Sequence, residues 1–351
     1  MVYIEMENIE KKFDKDLVID SFDLEIKSGE ILALLGPSGC GKTTILKLIS
    51  GLLAPEIGDI KFNGDSVLNI PAEKRGAVLV FQDYLLFPHL NVEKNIMFGM
   101  KMQKTPVSIR KKRTEELLKF MGLFEHRNHY PNELSGGQRQ RVALARALAV
   151  KPKVILLDEP LTNLDANLRG EMQEFIRDIH KREKMTTVFV THDRDEAMLV
   201  ADRIAVMNKG KVEQVGTAED LYKFPKSCFV SNFFGSTNYI DGEVDGEFFV
   251  FPEGKIKMKK TNIDKDIDIY DGKKLKMMIR PEFIDINGPN DREHFSFKAK
   301  IVHRSFVGER ILYKIDDGKQ TLKVTTLPPS DYLIGDEVLL SIKLEHVWYM
   351  E

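Results

Sequence analysis

Short apolar runs alternate with helix-like stretches through the first half of the chain. Strand-sized runs rich in leucine and β-branched residues occur at residues 31–35, 77–81, 154–157 and 187–190. Between about 85 and 150 such runs disappear, and the pattern predicts helices instead, including one at 107–120. Strands that alternate with helices are typical of an α/β fold. We therefore predict an α/β core with a helical subdomain inserted at about residues 85–150.

The pattern changes in the last third of the chain. A predicted hairpin spans residues 204–215, a helix follows at about 218–223, and short alternating strands with glycine and asparagine turns begin after about Ser236. The expected strands are 248–251, 274–279, 298–302, 311–315, 322–325 and 338–343. Short strands of this kind are typical of small barrels. The prediction is a first domain at residues 1–235 and a small all-β domain at 236–351.

A glycine-rich loop stands between the first predicted core strand and the helix that follows it. Its spacing is G-x-x-x-x-G-K-[ST], and the backbone N–H groups of such a loop wrap a nucleotide's phosphates at a helix N-terminus. Lys42 is expected to reach the β- and γ-phosphates, and the Thr43 hydroxyl to ligate Mg²⁺. The predicted nucleotide contacts are Gly36, Pro37, Ser38, Gly39, Cys40, Gly41, Lys42, Thr43 and Thr44.

Cys40 lies inside this loop, two residues before Lys42. At a helix N-terminus beside a lysine the pKa of a thiol tends to fall, which makes the thiol reactive. We therefore expect thiol reagents to inhibit nucleotide turnover and bound nucleotide to protect the site.

A second glycine-rich helix start follows in the sequence Leu-Ser-Gly-Gly-Gln at residues 134–138. Ser135 is a good N-cap, Gly136 and Gly137 allow close backbone approach, and a long helix is predicted from Gln138 onward. This turn is a further candidate site for anions, but it has no lysine of its own. Two such turns in one chain indicate a nucleotide shared between two copies, each of which supplies half of the site.

Polar residues stand at the ends of the other core strands. Asp158 and Glu159 end the run 154–157, where Asp158 is expected to hold Mg²⁺ and Glu159 to act as general base toward the attacking water. His192 ends the run 187–190 and is a candidate contact for the γ-phosphate. Gln82 follows the run 77–81, and its amide is a candidate ligand for Mg²⁺ or water.

The order of these motifs resembles the ATP-binding subunits of ABC transporters, whose core is a P-loop NTPase fold. The resemblance covers about residues 2–234. It implies that Phe13 stacks on adenine, that Gln82 lies in a loop contacting membrane subunits, and that Asp165 lies in the segment linking two sites of a dimer. It also implies a head-to-tail homodimer that hydrolyses ATP between the loop of one copy and residues 135–138 of the other.

The C-terminal part resembles a narrower group. Residues 278–282, Met-Ile-Arg-Pro-Glu, followed by short strands, are similar to the OB-like (TOBE) domain of importers for sugars, polyamines, ferric iron, sulfate and phosphonates. This resemblance implies a peripheral subunit on the cytoplasmic face of the cell membrane, acting with integral permease subunits and indirectly with a solute-binding protein. Residues 84–89 are the expected permease surface, with a core role as the alternative. A weak similarity at 102–106 slightly favours a polyamine cargo over the others.

Composition limits the classes of partner and the compartment that are expected. The 351 residues favour two domains, and a formal net charge of -2 gives no overall basic field, so no nucleic-acid partner is expected. No apolar run approaches the roughly 20 residues that span a bilayer, so a role at a membrane requires a partner protein. Residues 1–12 are charged and lack a long apolar core, so no signal peptide is expected. The two cysteines fit a reducing, cytosolic setting.

Two alternatives stay open from the sequence. One is an ATPase of the same type that acts on ribosomes or DNA, although it usually needs two cassettes or a long coiled coil. The other is a regulatory module in which the β-domain binds a ligand or regulator and the ATPase is a switch.

Overall fold

The computed structural model describes residues 1–162, 166–291 and 293–351, without the side chains of 166–168. The chain folds as two compact units, Met1–Ala218 and Glu219–Glu351. The division lies ahead of the predicted boundary at 235/236, since residues 219–235 pack with the strands of the second unit. Strands of the first unit are β1 Ile4–Phe13, β2 Asp16–Ile26, β3 Ile31–Leu35, β4 Ile57–Phe62, β5 Asp65–Ser66, β6 Ala77–Val80, β7 Val154–Asp158, β8 Thr186–Thr191, β9 Arg203–Asn208 and β10 Lys211–Gly216.

A six-stranded sheet forms the centre of the first unit, with the described strands in the order β10-β9-β3-β8-β7-β6. Strand β3 pairs in parallel with β8 and β9, and β7 pairs in parallel with β6 and β8. Every residue of β3, β7 and β8 is buried. Such continuous apolar strands are typical of a parallel sheet covered on both faces. The predicted α/β core is confirmed, and the carboxyl ends of these strands share one edge.

A second sheet of the first unit has the order β2-β1-β4-β5 among the described strands and is antiparallel. The sequence analysis did not predict its strands, because their charged residues interrupt the apolar runs. The inner face of this sheet shares one core with β3, β7 and β8, through side chains such as Ile4, Phe22 and Ile60.

Helices fill the rest of the first unit. Helix α1 spans Lys42–Ser50, and the inserted helical region comprises α2 Val92–Met102, α3 Val107–Phe120 and α4 Gly136–Ala149. Two further helices, α5 Ala166–Glu183 and α6 Arg194–Val200, follow β7 and β8. Asn95 of α2 is fully buried, accepts from the Phe87 N–H, and donates to the carbonyls of Phe87 and Leu90. This contact fixes the loop before α2.

The second unit begins with short helices, α7 Ala218–Lys223 and α8 Cys228–Phe234, and continues as strands. Its described strands form two five-stranded sheets around one apolar core, in the orders β13-β12-β11-β14-β20 and β15-β19-β16-β17-β18. The bounds are β11 Asn238–Asp245, β12 Phe248–Phe251, β13 Gly254–Lys257, β14 Lys274–Ile279, β15 Ile284–Ile286, β16 His294–Phe306, β17 Ile311–Asp316, β18 Thr321–Thr326, β19 Glu337–Lys343 and β20 Trp348–Met350. The predicted all-β OB-like domain is confirmed.

A fully buried guanidinium ties the two short helices to these strands. Arg280 follows β14 and donates to the Tyr222 carbonyl at 2.8 Å, the Ser231 carbonyl at 2.8 Å and the Thr237 hydroxyl at 2.7 Å. The same guanidinium lies over the Tyr222 ring at 4.2 Å. A buried charge is tolerated only where hydrogen bonds replace water, so these contacts hold the two helices against the strands.

Candidate functional site

The glycine-rich loop lies between β3 and α1, as predicted. Gly41 caps α1 with a left-handed φ of 102°, and a Cβ at Gly41 would lie 2.5 Å from Ile19 Cδ1. A Cβ at Gly36 would collide with the Met207 carbonyl oxygen. The loop therefore needs glycine at both positions. Its tip, Pro37, Ser38 and Gly39, is exposed to solvent.

The lysine of the loop folds back over it. Lys42 is 6% exposed, and its Nζ donates to the Gly36 and Pro37 carbonyls, both at 2.8 Å. These bonds satisfy the ammonium within the loop itself. A phosphate bound in the loop would have to draw the ammonium away from these carbonyls, so nucleotide binding and loop geometry are coupled.

Cys40 is 5% exposed, and its Sγ lies 3.9 Å from Lys42 Nζ. Burial raises the pKa of the thiol, and the neighbouring Lys42 charge only partly opposes that rise. The expectation of a thiol made reactive by a lowered pKa is therefore wrong, because desolvation of the thiolate outweighs the lysine.

The end of β7 meets the start of α1. Thr43 Oγ1 donates to Asp158 Oδ1 at 2.9 Å, and Asp158 is 8% exposed. Burial raises the pKa of the Asp158 carboxyl; the hydrogen bond from Thr43 opposes this, and the charge of Glu159 adds to it. Among the described residues no group of three or more His, Cys, Asp or Glu side chains is arranged to hold a metal. One carboxylate beside one hydroxyl suits Mg²⁺, which usually keeps waters and takes phosphate oxygens as further ligands.

Glu159 is held by side chains that follow two other strands and by one from its own segment. Its backbone has φ 45°, a left-handed conformation that is uncommon for glutamate. Gln82 Nε2 and Thr162 Oγ1 donate to Oε2 at 3.2 and 3.1 Å, and His192 Nδ1 lies 3.4 Å from Oε1. The structure thus brings together the predicted residues Gln82, Glu159 and His192. The sequence analysis assigned no role to Thr162, since nothing in the sequence shows where its hydroxyl points.

The second glycine-rich turn, residues 135–138, is held by hydrogen bonds between its first and last residues. Ser135 Oγ accepts from the Gln138 N–H at 3.3 Å, and Gln138 Oε1 accepts from the Ser135 N–H at 2.9 Å. This reciprocal capping box starts α4. A Cβ at Gly136 would meet no atom of the described residues within 4 Å, whereas Gly137 is buried. Across the part of the chain that is described, the side-chain hydrogen bonds of residues 135–138 stay within the turn or go to His126, and none goes to residues 36–44.

Two further nucleotide contacts were predicted, Phe13 and Asp165. Phe13, at the end of β1, is 44% exposed, and Lys11 Nζ lies 5.6 Å from the centre of its ring. Asp165 lies outside the described residues, which end at 162 and resume at 166.

The expected permease surface follows β6. Tyr84 and Leu85 have positive φ values of 59° and 41°, and Arg146 of α4 donates to both carbonyls at 2.9 and 2.8 Å. The Arg146 guanidinium also lies 5.3 Å from the centre of the Phe87 ring. A cavity of about 390 Å³ opens beside this loop between β6, α2 and α4, lined by residues that include Val80, Leu85 and Phe87. The loop is therefore held in one shape with apolar side chains at an open groove.

Comparison with known proteins agrees with this arrangement. The family model described as "ABC transporter" matches residues 19–162, and the model described as "TOBE domain" matches residues 277–350. A dimeric solved structure, a post-hydrolysis state of an ATP-binding cassette bound to ADP and Pi, is similar with a TM-score of 0.56 and 32% identity, covering 61% of this chain and 98% of that chain.

Curated relatives fall into two groups by name. The Fe(3+) ions import ATP-binding protein FbpC of Fusobacterium nucleatum is 40% identical over 99% of this chain and 92% of its own length, and that of Vibrio cholerae is 43% identical over 81% and 80%. The spermidine/putrescine import ATP-binding protein PotA of Bacillus anthracis is 48% identical over 70% of this chain and 75% of its own length. The chain is an ATPase and belongs to the ATP-binding subunits of ABC importers that carry a C-terminal TOBE domain.

Proposed function

We propose that this subunit works as a homodimer in which each ATP is held between the phosphate loop of one copy and residues 135–138 of the other. The observation that carries the proposal is the open face of Ser135 and Gly136, where a Cβ at Gly136 meets nothing within 4 Å. A helix N-terminus with glycine backbone attracts phosphate, yet the described residues of its own chain leave this one uncovered. The dimeric state of the solved relative supports the same arrangement.

Within each site we assign the contacts by position. Lys42 neutralises the β- and γ-phosphates once it leaves the Gly36 and Pro37 carbonyls. Thr43 and Asp158 hold Mg²⁺, with Gln82 as a further ligand, and the metal supplies charge neutralisation when bound. The remaining proposed nucleotide contacts are Phe13 on adenine, Gly36, Pro37, Ser38, Gly39, Cys40, Gly41 and Thr44 of the loop, and Ser135, Gly136, Gly137, Gln138 and Asp165 of the other copy.

Glu159 is the proposed general base, and His192 is its partner at the reacting phosphate. In the isolated chain both oxygens of Glu159 already accept hydrogen bonds, from Gln82, Thr162 and His192. A carboxylate occupied in this way is held in place but is a weaker acceptor for a water proton. Gln82 uses its Nε2 for Glu159, which leaves its amide oxygen for Mg²⁺, so Gln82 would link the metal to the base. Movement of Gln82 removes one of the three hydrogen bonds on Glu159.

The permease is the proposed partner of the loop at residues 84–89 and its adjoining groove. Gln82 precedes this loop by two residues, so a force on the loop is transmitted to the Glu159 contact. No helix among the described residues is long and apolar enough to cross a bilayer. The names of the relatives, import ATP-binding proteins, support a place at the cytoplasmic face of the membrane, bound through permease subunits, with a solute-binding protein delivering cargo.

For the cargo, the relatives support two proposals. Fe(3+) is favoured by the relative that matches 99% of this chain, and spermidine or putrescine by the relative with 48% identity over 70% of it. The sequence similarity at residues 102–106 adds slight support for a polyamine. Uptake of radiolabelled putrescine and of ⁵⁵Fe(3+) by cells with and without the subunit separates the two.

The experiment for the dimer uses Glu159→Gln, which keeps the length of the side chain and an accepting oxygen but replaces the carboxylate with an amide that cannot take a proton. We expect hydrolysis to fall by about 100-fold or more and a dimer to accumulate in MgATP, measured by sedimentation. A tagged variant in MgATP is then used to capture partners from native membranes for mass spectrometry. A protein that stays monomeric in saturating MgATP, or that captures ribosomal or DNA-bound proteins and no permease, contradicts the proposal.

A further inference from the structure

A line of hydrogen bonds connects Ser135 to two histidines that the proposed reaction does not use. The Ser135 N–H donates to Gln138 Oε1 at 2.9 Å, and the other end of that amide, Nε2, lies 3.1 Å from His126 Nε2. On its opposite edge, His126 Nδ1 lies 3.1 Å from His129 Nδ1, with ring centres 5.1 Å apart. His126 is half-buried and His129 is exposed, so protons from water reach the pair.

Chemistry fixes the direction of every bond in this line. The Ser135 N–H is a donor, so the amide must present its oxygen to Ser135 and its NH₂ to His126. His126 Nε2 therefore accepts, which places the proton of a neutral His126 on Nδ1. That proton is donated to His129 Nδ1, and the proton of a neutral His129 then lies on its Nε2. The line is complete only when both imidazoles are neutral.

Adding a proton to either ring breaks a bond. A proton on His126 Nε2 would face the Gln138 NH₂, and turning the amide over would lose the bond from Ser135. A proton on His129 Nδ1 would face the His126 Nδ1–H. Imidazole is the side chain that serves as the proton switch near neutral pH, and a proton gained by either ring interrupts the line.

Hydrogen bonds fix the backbone that carries the two histidines. When a ring gains a proton, the side chains of His126, His129 and Gln138 must therefore move, because the backbone cannot. The Val92 N–H donates to the His129 carbonyl at 2.9 Å, and the Glu93 N–H donates to the Arg127 carbonyl at 3.0 Å. Charged and titratable side chains of the elements meeting the pair are Glu125, Arg127, Tyr130 and Glu133 of its own segment, Glu93 and Lys94 in the first turn of α2, Glu115 and Lys119 of α3, and Arg139 and Arg141 of α4.

We propose that His126 and His129 are positioning residues that hold Gln138, and through it the Ser135 backbone, in the shape that binds the other copy's ATP only while both are neutral. Residues 135–138 then lose affinity for that ATP as the pH falls, and dimerisation weakens before the phosphate loop is affected. This inference rests on the proposed homodimer.

The test measures MgATP-dependent dimerisation of Glu159→Gln by sedimentation at pH 7.5 and pH 6.0, where no hydrolysis intervenes. The comparison chain adds His126→Gln and His129→Asn, which keep amide acceptors at the positions of Nε2 and Nδ1 but do not titrate. Protonation of His192 and of the nucleotide affects both chains equally. From pH 7.5 to pH 6.0 we expect the dissociation constant of the parent to rise about fivefold more than that of the comparison chain. A fivefold change corresponds to the loss of one hydrogen bond. His303→Gln, an exposed histidine of the second unit, serves as the matched control.

An equal rise in both chains overturns the inference, while absence of a dimer at both pH values overturns the proposed function instead. A second readout is made on the chain with both histidines present, and His126→Gln serves only to assign the signal. Nitrogen and carbon NMR of histidine-labelled protein at pH 7.5 should show one ring, absent from His126→Gln, protonated on Nδ1. Protonation of that ring on Nε2 at pH 7.5 would contradict the direction of the line.

Discussion

The two glycine-rich helix starts of this subunit share a chemistry and differ in what covers them. The loop before α1 is closed by its own chain: Lys42 bonds its carbonyls, and added side-chain atoms at Gly36 or Gly41 would collide with neighbours. The turn before α4 is capped by Ser135 and Gln138 but open at Gly136. A motif thus indicates which ligand is bound, whereas its packing indicates how much of the site one chain supplies.

Lys42→Ala should produce the largest effect, a loss of ATP hydrolysis, because it removes the cation of the loop before α1. We expect ATP hydrolysis to fall by about 100-fold or more, because a positioned cation at the transferring phosphate contributes on that order. The variant also loses the bonds to the Gly36 and Pro37 carbonyls. Steady-state ATPase assays measure the loss, with the exposed Lys74→Ala as the matched control. Activity within about threefold of the parent would show that the amine is not needed.

Alanine substitutions at Gly36 and Gly136 should distinguish the closed loop before α1 from the open turn before α4. Gly36→Ala is expected to reduce the free energy of unfolding by about 1–3 kcal/mol, because the added methyl collides with the Met207 carbonyl. Gly136→Ala should leave that free energy within about 0.5 kcal/mol, since the position is open. Urea unfolding of the nucleotide-free chains measures both.

The two alanine substitutions also test whether the other copy covers the open turn before α4. In the Glu159→Gln background, Gly136→Ala should weaken MgATP-dependent dimerisation although the monomer is intact. Unchanged dimerisation would mean that no partner approaches Gly136, and equal unfolding energies would remove the distinction between the two turns.

Asp158→Asn should change the free energy of unfolding by less than Gly36→Ala does, and in the opposite direction. Burial raises the pKa of Asp158, so the folded chain binds this proton more tightly than the unfolded chain. The native state therefore loses stability as the pH rises above the ordinary value of 3.8 and through the raised one. Asparagine can still accept from Thr43 without a charge, so we expect a gain of about 1 kcal/mol at pH 7 that shrinks toward pH 4, with loss of ATPase activity. Unfolding at several pH values tests this, and a variant less stable than the parent at pH 7 would contradict it.

Much of the fold and of the site was predictable because short-range rules decide it. The core strands follow from continuous apolar runs, and the relative positions of Thr43, Asp158 and Glu159 follow from parallel strands ending at one edge. The outer sheet was missed, since β1 and β2 alternate with charged residues and pair by long-range contacts with bulges. The pKa of Cys40 was misjudged because burial is a property of packing.

Arg280 has a consequence for how the protein can be divided. Its guanidinium bonds the carbonyls of Tyr222 and Ser231 as well as the hydroxyl of Thr237. A chimaera of two relatives joined at 235/236 would therefore place the arginine from one parent against helices from the other. A junction ahead of Glu219 keeps the donor and its acceptors from a single parent, so the transferable module is longer than its run of β-strands.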